Sequence, residues 1–146
     1  MTEPRSERKT PSAAQSAQQK ENGHPRILVV DDEPMITSIL SRLIGKDHVV
    51  FVSHNSIEVK DRLQAGERFD AILCDLMMPE MSGVDLHAEV TQFAPAQAAK
   101  MIFMTGGAFT DATRAFLDRV PNPRIEKPFD VGQVREAIRN VLKPGG

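Results

Sequence analysis

Asp31, Asp32, Asp75, Thr105 and Lys127 are the residues of this 146-residue chain whose types and spacing can do chemistry. Each closes a short apolar run. Ile27 to Val30 delivers Asp31 and Asp32, Ala71 to Cys74 delivers Asp75, Met101 to Met104 delivers Thr105, and the run around Ile125 delivers Lys127. Like charges within about 4 Å repel by roughly 4 kcal/mol at an effective dielectric of 20, so carboxylates gathered in this way call for a cation. Magnesium suits them, because it takes one or two carboxylates, keeps several waters and binds phosphate oxygens at its remaining positions. A carboxylate can accept a phosphoryl group as an acyl phosphate, with catalysis mainly by positioning and charge neutralisation. Asp75 is then the candidate nucleophile, Thr105 a hydroxyl donor to a phosphoryl oxygen, and Lys127 a second positive charge opposite the metal. Gly106 and Gly107 leave room for backbone amides to approach that oxygen. The plainer reading, that Asp31 and Asp32 cap the following helix, accounts for only one of the pair. Glu33 reads as a solvent-facing residue at the helix entry.

These residues meet only if the elements beneath them form a parallel α/β sheet, whose strand carboxyl ends share one edge where ligands bind. From Arg26 onward strand and helix signals alternate five times. Ile27 to Val30 is followed by Ile36, Ile39, Leu40, Leu43 and Ile44, a helical stripe opening near Pro34 and stopping at Gly45. Val49 to Val52 is the second strand, and Asn55 or Ser56 caps a helix with Ile57 and Leu63 inward, ending at Gly66. Phe69 to Cys74 is the third strand, and a helix from Ser82 and Gly83 carries Val84, Leu86, Val90 and Phe93 before Pro95 stops it. Met101 to Met104 is the fourth strand. Ala112, Ala115, Phe116 and Val120 mark the fourth helix, closed by Pro121, Asn122 and Pro123. A brief fifth strand runs from Arg124 to Glu126, and Asp130 with Gln133 makes a capping-box pair before a last helix with Val131, Val134, Ile138, Val141 and Leu142 inward. Right-handed crossovers then give a doubly wound, five-stranded parallel sheet with five helices on two faces. The Lys127-Pro128 bond is cis in a tight turn, which points the lysine into the crevice, or trans at a strand end.

The formal net charge of -2 and the pI near 6.1 carry no basic footprint for nucleic acid or an anionic membrane. No apolar stretch approaches the ~20 residues of a transmembrane helix, and the start lacks the apolar core of a secretory signal, so a cytoplasmic location is expected. Cys74 is the single cysteine and reads as a small buried strand residue. Residues 1–25, rich in Ser, Gln, Ala, Lys and Glu, read as a disordered tail or linker, and 26–146 as one folded domain. His24, His48, His54 and His87 lack ligand spacing and read as surface or packing residues.

The runs Leu28-Val29-Val30-Asp31-Asp32, Asp75-Leu76-Met77-Met78-Pro79-Glu80-Met81-Ser82-Gly83, Met104-Thr105-Gly106 and Lys127-Pro128-Phe129 together resemble the receiver domain of bacterial response regulators, the family of the chemotaxis response regulator. The likeness extends from Arg26 to about Leu142. It implies a flavodoxin-like strand order 2-1-3-4-5 and Asp75 as the phosphoacceptor. It implies magnesium held by Asp31, Asp32, Asp75 and the backbone carbonyl of Met77, with Thr105 as the switch hydroxyl and Lys127 as the conserved-type lysine. It also implies a phosphohistidine donor, on a histidine kinase or a histidine phosphotransfer protein. A downstream protein would be engaged through the face of the fourth helix, fifth strand and fifth helix. Such a module is a phosphoacceptor that assists its own phosphorylation and dephosphorylation, not a turnover enzyme.

Three features depart from the family. Arg124 stands where an aromatic ring commonly turns inward, and burying an always-charged guanidinium in its place is costly. Met77 and Gly107 stand where the family tunes hydrolysis with polar side chains, and neither orients a water. The chain ends soon after the last helix, so output is expected by partner contact, or the chain is a piece of a larger protein. The segment Met104 to Thr110 resembles receivers fused to hybrid histidine kinases. Three other functions compete. A haloacid-dehalogenase-like phosphohydrolase wants an acid at the position of Met77. A flavin carrier would meet repulsion of its phosphate by Asp31, Asp32 and Glu33. A receiver-like scaffold that binds partners without phosphorylation would leave the full acidic set and Lys127 idle.

Overall fold

In the computed structural model, residues 20–21, 23–107 and 110–143 are described. Five parallel strands form the sheet: β1 (His24–Val30), β2 (Val49–Ser53), β3 (Ala71–Asp75), β4 (Met101–Thr105) and β5 (Arg124–Glu126). β1 pairs with both β2 and β3, β3 with β4, and β4 with β5, which is the order 2-1-3-4-5. The first strand starts at His24, three residues ahead of the expected Ile27, and a two-residue segment, Lys20–Glu21, pairs antiparallel to its start. Residues 1–19 and 22 of the expected tail lie outside the described residues, as do 108–109 and the residues beyond Lys143.

Helices α1 (Pro34–Ile44), α2 (Ser56–Gln64), α3 (Gly83–Phe93), α4 (Asp111–Arg119) and α5 (Val131–Leu142) cover the two faces. One face packs Leu28, Val30, Ile72 and Phe103 against Val59, Leu63, Leu86, Val90 and Phe116; the other packs Ile27, Val29, Leu73 and Ile102 against Leu40, Ile44, Val134 and Ile138. Burial on both faces is why the strands read as unbroken apolar runs and not as alternating ones. The capping signals are realised: Asn55 accepts from the Ile57 and Glu58 amides, Ser82 from Asp85, and Asp130 with Gln133 forms the reciprocal box.

Several expectations need correcting. Ile57 and Val131 are exposed at 39% and 38%. Ile57 lies two positions from Val59, and 200° of helical rotation turns it away from the face that Val59 and Leu63 bury. Val131 opens α5, ahead of the turns that pack through Val134, Ala137, Ile138 and Val141. Ala112 and Ala115 face solvent, and α4 is held by Phe116 and Leu117. A sixth helix, the single turn Pro95–Ala98, follows α3. It presents Gln97, buried at 3%, whose amide donates to the Phe69 carbonyl and accepts from the Phe69 N–H, each at 2.9 Å. Those bonds satisfy Phe69 with a side chain in place of a neighbouring strand, so β3 begins at Ala71.

Candidate functional site

The carboxyl edge gathers the residues singled out above. Asp31 and Asp32 follow β1, Asp75 closes β3, Thr105 closes β4, and Lys127 follows β5. One carboxylate oxygen from each of Asp31, Asp32 and Asp75 lies within 4.8 Å of the others. Asp31 is fully buried and Asp75 is 6% exposed, whereas Asp32 faces solvent. Lys127 Nζ donates to Asp31 Oδ2 at 3.0 Å and to Asp75 Oδ2 at 3.2 Å. The remaining oxygens take backbone amides: Glu33 N–H donates to Asp31 Oδ1 at 2.9 Å and Met77 N–H to Asp75 Oδ1 at 3.1 Å. Asp31 therefore helps to fix the entry of α1 and still belongs to the cluster, so the two readings of that residue coexist. The Lys127-Pro128 bond is cis.

Burial pushes the Asp75 carboxyl above its ordinary value; the Met77 amide and Lys127 oppose this, and the neighbouring Asp31 adds to it. Burial pulls the Lys127 ammonium down, but the two carboxylates outweigh it and its pKa ends raised. Three clustered carboxylates thus have one ammonium, bonded to two of them. A hard divalent cation with oxygen ligands is the group this donor set fits, with room for carboxylate, carbonyl and water together.

Thr105 is buried, yet its hydroxyl turns sideways and donates to the Ile125 carbonyl at 3.5 Å, not to any of the carboxylates. The Lys127 stem passes Gly106, where an added Cβ would meet its Cβ and Cδ at 3.6 Å, an ordinary contact. Gly107 takes a φ of +67°, the left-handed region that glycine enters freely. Met77, whose amide is bonded to Asp75, is 62% exposed, and Met35, in the first turn of α1, is 72% exposed. Arg124 points to solvent and fills no pocket of the core.

Gly83 is a site residue that the sequence reading treated only as a helix start. A Cβ there would fall 2.8 Å from the Asp75 carbonyl oxygen, and the Gly83 N–H donates to the Leu76 carbonyl at 3.0 Å. Its bare backbone lets α3 press against the end of β3 and fix Asp75 from below. A glycine in the first helical position was the available signal. The loop from Asp75 to Gly83 also holds Glu80 at a φ of +68°, with the Asn55 amide donating to its carboxylate at 3.4 Å.

Residues 27–139 match the family model described as the response regulator receiver domain. The response regulator protein PilR of Pseudomonas aeruginosa is 30% identical over 81% of this chain, and the sporulation initiation phosphotransferase F of Bacillus subtilis 25% identical over 80%. The chain spans 93% of the latter but 26% of PilR, and 47% of the transcriptional regulatory protein TcrA of Mycobacterium tuberculosis. Among solved structures, a receiver domain protein from Methanospirillum hungatei superposes with a TM-score of 0.72 at 26% identity, covering 82% of this chain and 94% of that one. With the 2-1-3-4-5 sheet and an acidic cluster bridged by a lysine at its carboxyl edge, this match over most of the folded residues makes the chain a member of the response regulator receiver family.

Proposed function

We propose that Asp75 accepts a phosphoryl group from a phosphohistidine, on a histidine kinase or a histidine phosphotransfer protein, and that the modified domain signals by binding a downstream protein. The observation that carries this reading is Lys127 Nζ, held 3.0 Å from Asp31 and 3.2 Å from Asp75 within a carboxylate cluster only 4.8 Å across. In the transfer, a carboxylate oxygen of Asp75 attacks phosphorus as the phosphorus–nitrogen bond to the donor imidazole breaks. Asp31, Asp32, Asp75 and the Met77 carbonyl would hold magnesium, which supplies charge neutralisation for the incoming oxygens. Lys127 stays opposite it, its ammonium passing from the Asp75 carboxylate to the phosphoryl oxygens. Thr105 gives up the long bond to Ile125 and donates to the phosphoryl group, shifting β4 against β5.

That shift reaches the exposed face of α4, β5 and α5, where the downstream protein binds. Arg124 meets this partner directly, since it already lies at the surface. Met77, exposed beside Asp75, gives the donor an apolar contact. The role is that of a phosphoacceptor, without turnover of a separate substrate. The name of the Bacillus relative, a phosphotransferase of nearly the same length, supports phosphoryl transfer as the common thread.

Incubation with a small acyl-phosphate donor and magnesium, followed by intact mass, tests the reading. Wild type gains one phosphoryl group, and chelation or Asp75→Asn abolishes the gain. An unchanged gain in Asp75→Asn removes Asp75 from the role. No gain from either a small donor or a kinase leaves the non-phosphorylated scaffold as the function.

A further inference from the structure

We propose that Met77 is a site of reversible oxidation by peroxide and that its sulfoxide shortens the lifetime of the phosphoryl group on Asp75. The second half rests on the function proposed above; the first does not. The chain has seven methionines and one cysteine. Met78, Met101 and Met104 are buried at 7%, 0% and 0%, which hides their sulfurs, while Met77 stands 62% and Met35 72% exposed. Cys74 is wholly buried, and burial holds its thiol far above the ordinary range, so the reactive thiolate is suppressed. Among the described methionines Met81 is half-buried, Met35 and Met77 are the most exposed, and of these two it is Met77 that is bonded to a carboxylate of the cluster.

Met77 differs from Met35 in how it is tied to that cluster. Its own N–H donates to Asp75 Oδ1 at 3.1 Å, so the residue is anchored to the carboxylate that reacts. The thioether is a weak hydrogen-bond acceptor, and an apolar group at the mouth keeps water from lining up with the phosphorus–oxygen bond. In oxidation the sulfur lone pair attacks one peroxide oxygen, the S–O bond forms and the O–O bond breaks. The departing oxygen takes up a proton and leaves as water. Sulfur loses two electrons and the peroxide gains them. The sulfoxide is polar and a strong acceptor, and sulfoxide reductases restore the thioether. An acceptor at this position can hold a water against the phosphoryl group, where the thioether excluded it.

The full chain is treated with hydrogen peroxide, mapped by peptide mass, then phosphorylated with an acyl-phosphate donor and magnesium and followed for decay. Met77 and Met35 oxidise ahead of the buried Met78, Met101 and Met104, and decay of the oxidised protein is faster by about threefold or more than in the untreated protein. Each variant is compared with its own untreated state. Met77→Leu loses the acceleration, Met35→Leu keeps it, and untreated Met77→Gln decays faster than untreated wild type. Oxidation that spares Met77, an unaltered decay rate, or an acceleration that persists in Met77→Leu overturns the inference alone. Failure of untreated wild type to take any phosphoryl group overturns the proposed function as well, while the oxidation map is still read.

Discussion

The two ends of one sheet handle charge in opposite ways. At the amino edge Arg26 is buried at 5% exposure, its guanidinium 4.4 Å over the Phe51 ring and 5.1 Å from that of Phe69. Glu67 accepts from Arg26 at 3.2 Å and from Arg62 at 2.8 Å, and Asp70 accepts from the Arg26 backbone N–H at 2.7 Å. Arg26, Arg62 and Glu67 there are paired with opposite charge, and Asp70 takes a backbone amide. At the carboxyl edge one lysine bonds two of three clustered carboxylates, and two backbone amides hold Asp31 and Asp75 in place against the cost of burying their charge. The first arrangement is complete in itself and serves stability. The second is left to be completed from outside, as a site for a cation and a phosphoryl group must be.

The largest effect that separates the two edges is predicted for Arg26→Ala. Removing it leaves Glu67 with Arg62 alone and strips the guanidinium from the Phe51 and Phe69 rings, at a cost of about 3 kcal/mol. Urea unfolding checks this. The folded fraction should still take up a phosphoryl group at Asp75, and a loss of uptake at equal folding would mean that the edges are not separable.

Asp75→Asn should act in the other direction and stabilise the cation-free protein by about 1 kcal/mol, because it removes a buried charge beside Asp31. The pH dependence sharpens the contrast. Asp75 has a raised folded pKa, so the folded state binds its proton more tightly than the unfolded chain does, and its ionisation costs stability as pH rises from about 4. The gain from Asp75→Asn is therefore full at neutral pH and fades as pH falls. Glu67 is the reverse: its hydrogen bond from Arg62 outweighs burial and lowers its pKa. Its stabilisation is present above about pH 4.3 and is lost as pH falls below that. Glu67→Gln should cost about 1 kcal/mol at neutral pH, with the deficit shrinking on acidification. Urea unfolding at several pH values reads both, and shifts of the same sign would contradict the contrast.

How far each edge was legible in the sequence follows from the same difference. Asp31, Asp32, Asp75, Thr105 and Lys127 stand at the ends of apolar runs, and a parallel sheet brings such ends together whatever the loops do. Their convergence was readable for that reason; that Lys127 would bridge Asp31 and Asp75 was not. Thr105 was readable as a residue at the edge, but its bond to Ile125 depends on a rotamer that no spacing encodes. At the amino edge Arg26 read only as the last polar residue before a strand. Its place against Phe51 and Phe69 requires knowing that β1 and β2 are neighbours and which way each side chain points. Gln97 was missed for a related reason: Pro95 correctly ended α3, and a single following turn carries too few residues to show a period.

The smallest effect on the chemistry is expected from Arg124→Ala. The side chain is exposed and makes no contact with the carboxylates, so phosphoryl lifetime measured by mass should change little while affinity for the downstream protein falls. Faster decay in this variant would place the guanidinium at the phosphoryl group.

The central claim, that the carboxyl edge is completed by a cation while the amino edge is complete already, is tested most directly by urea unfolding with and without magnesium. A cation at a hundredfold excess over its Kd should stabilise wild type and Arg26→Ala alike by about 2.7 kcal/mol. Asp31→Asn should lose most of that increment. An increment that survives Asp31→Asn, or that is absent from wild type, would contradict the account.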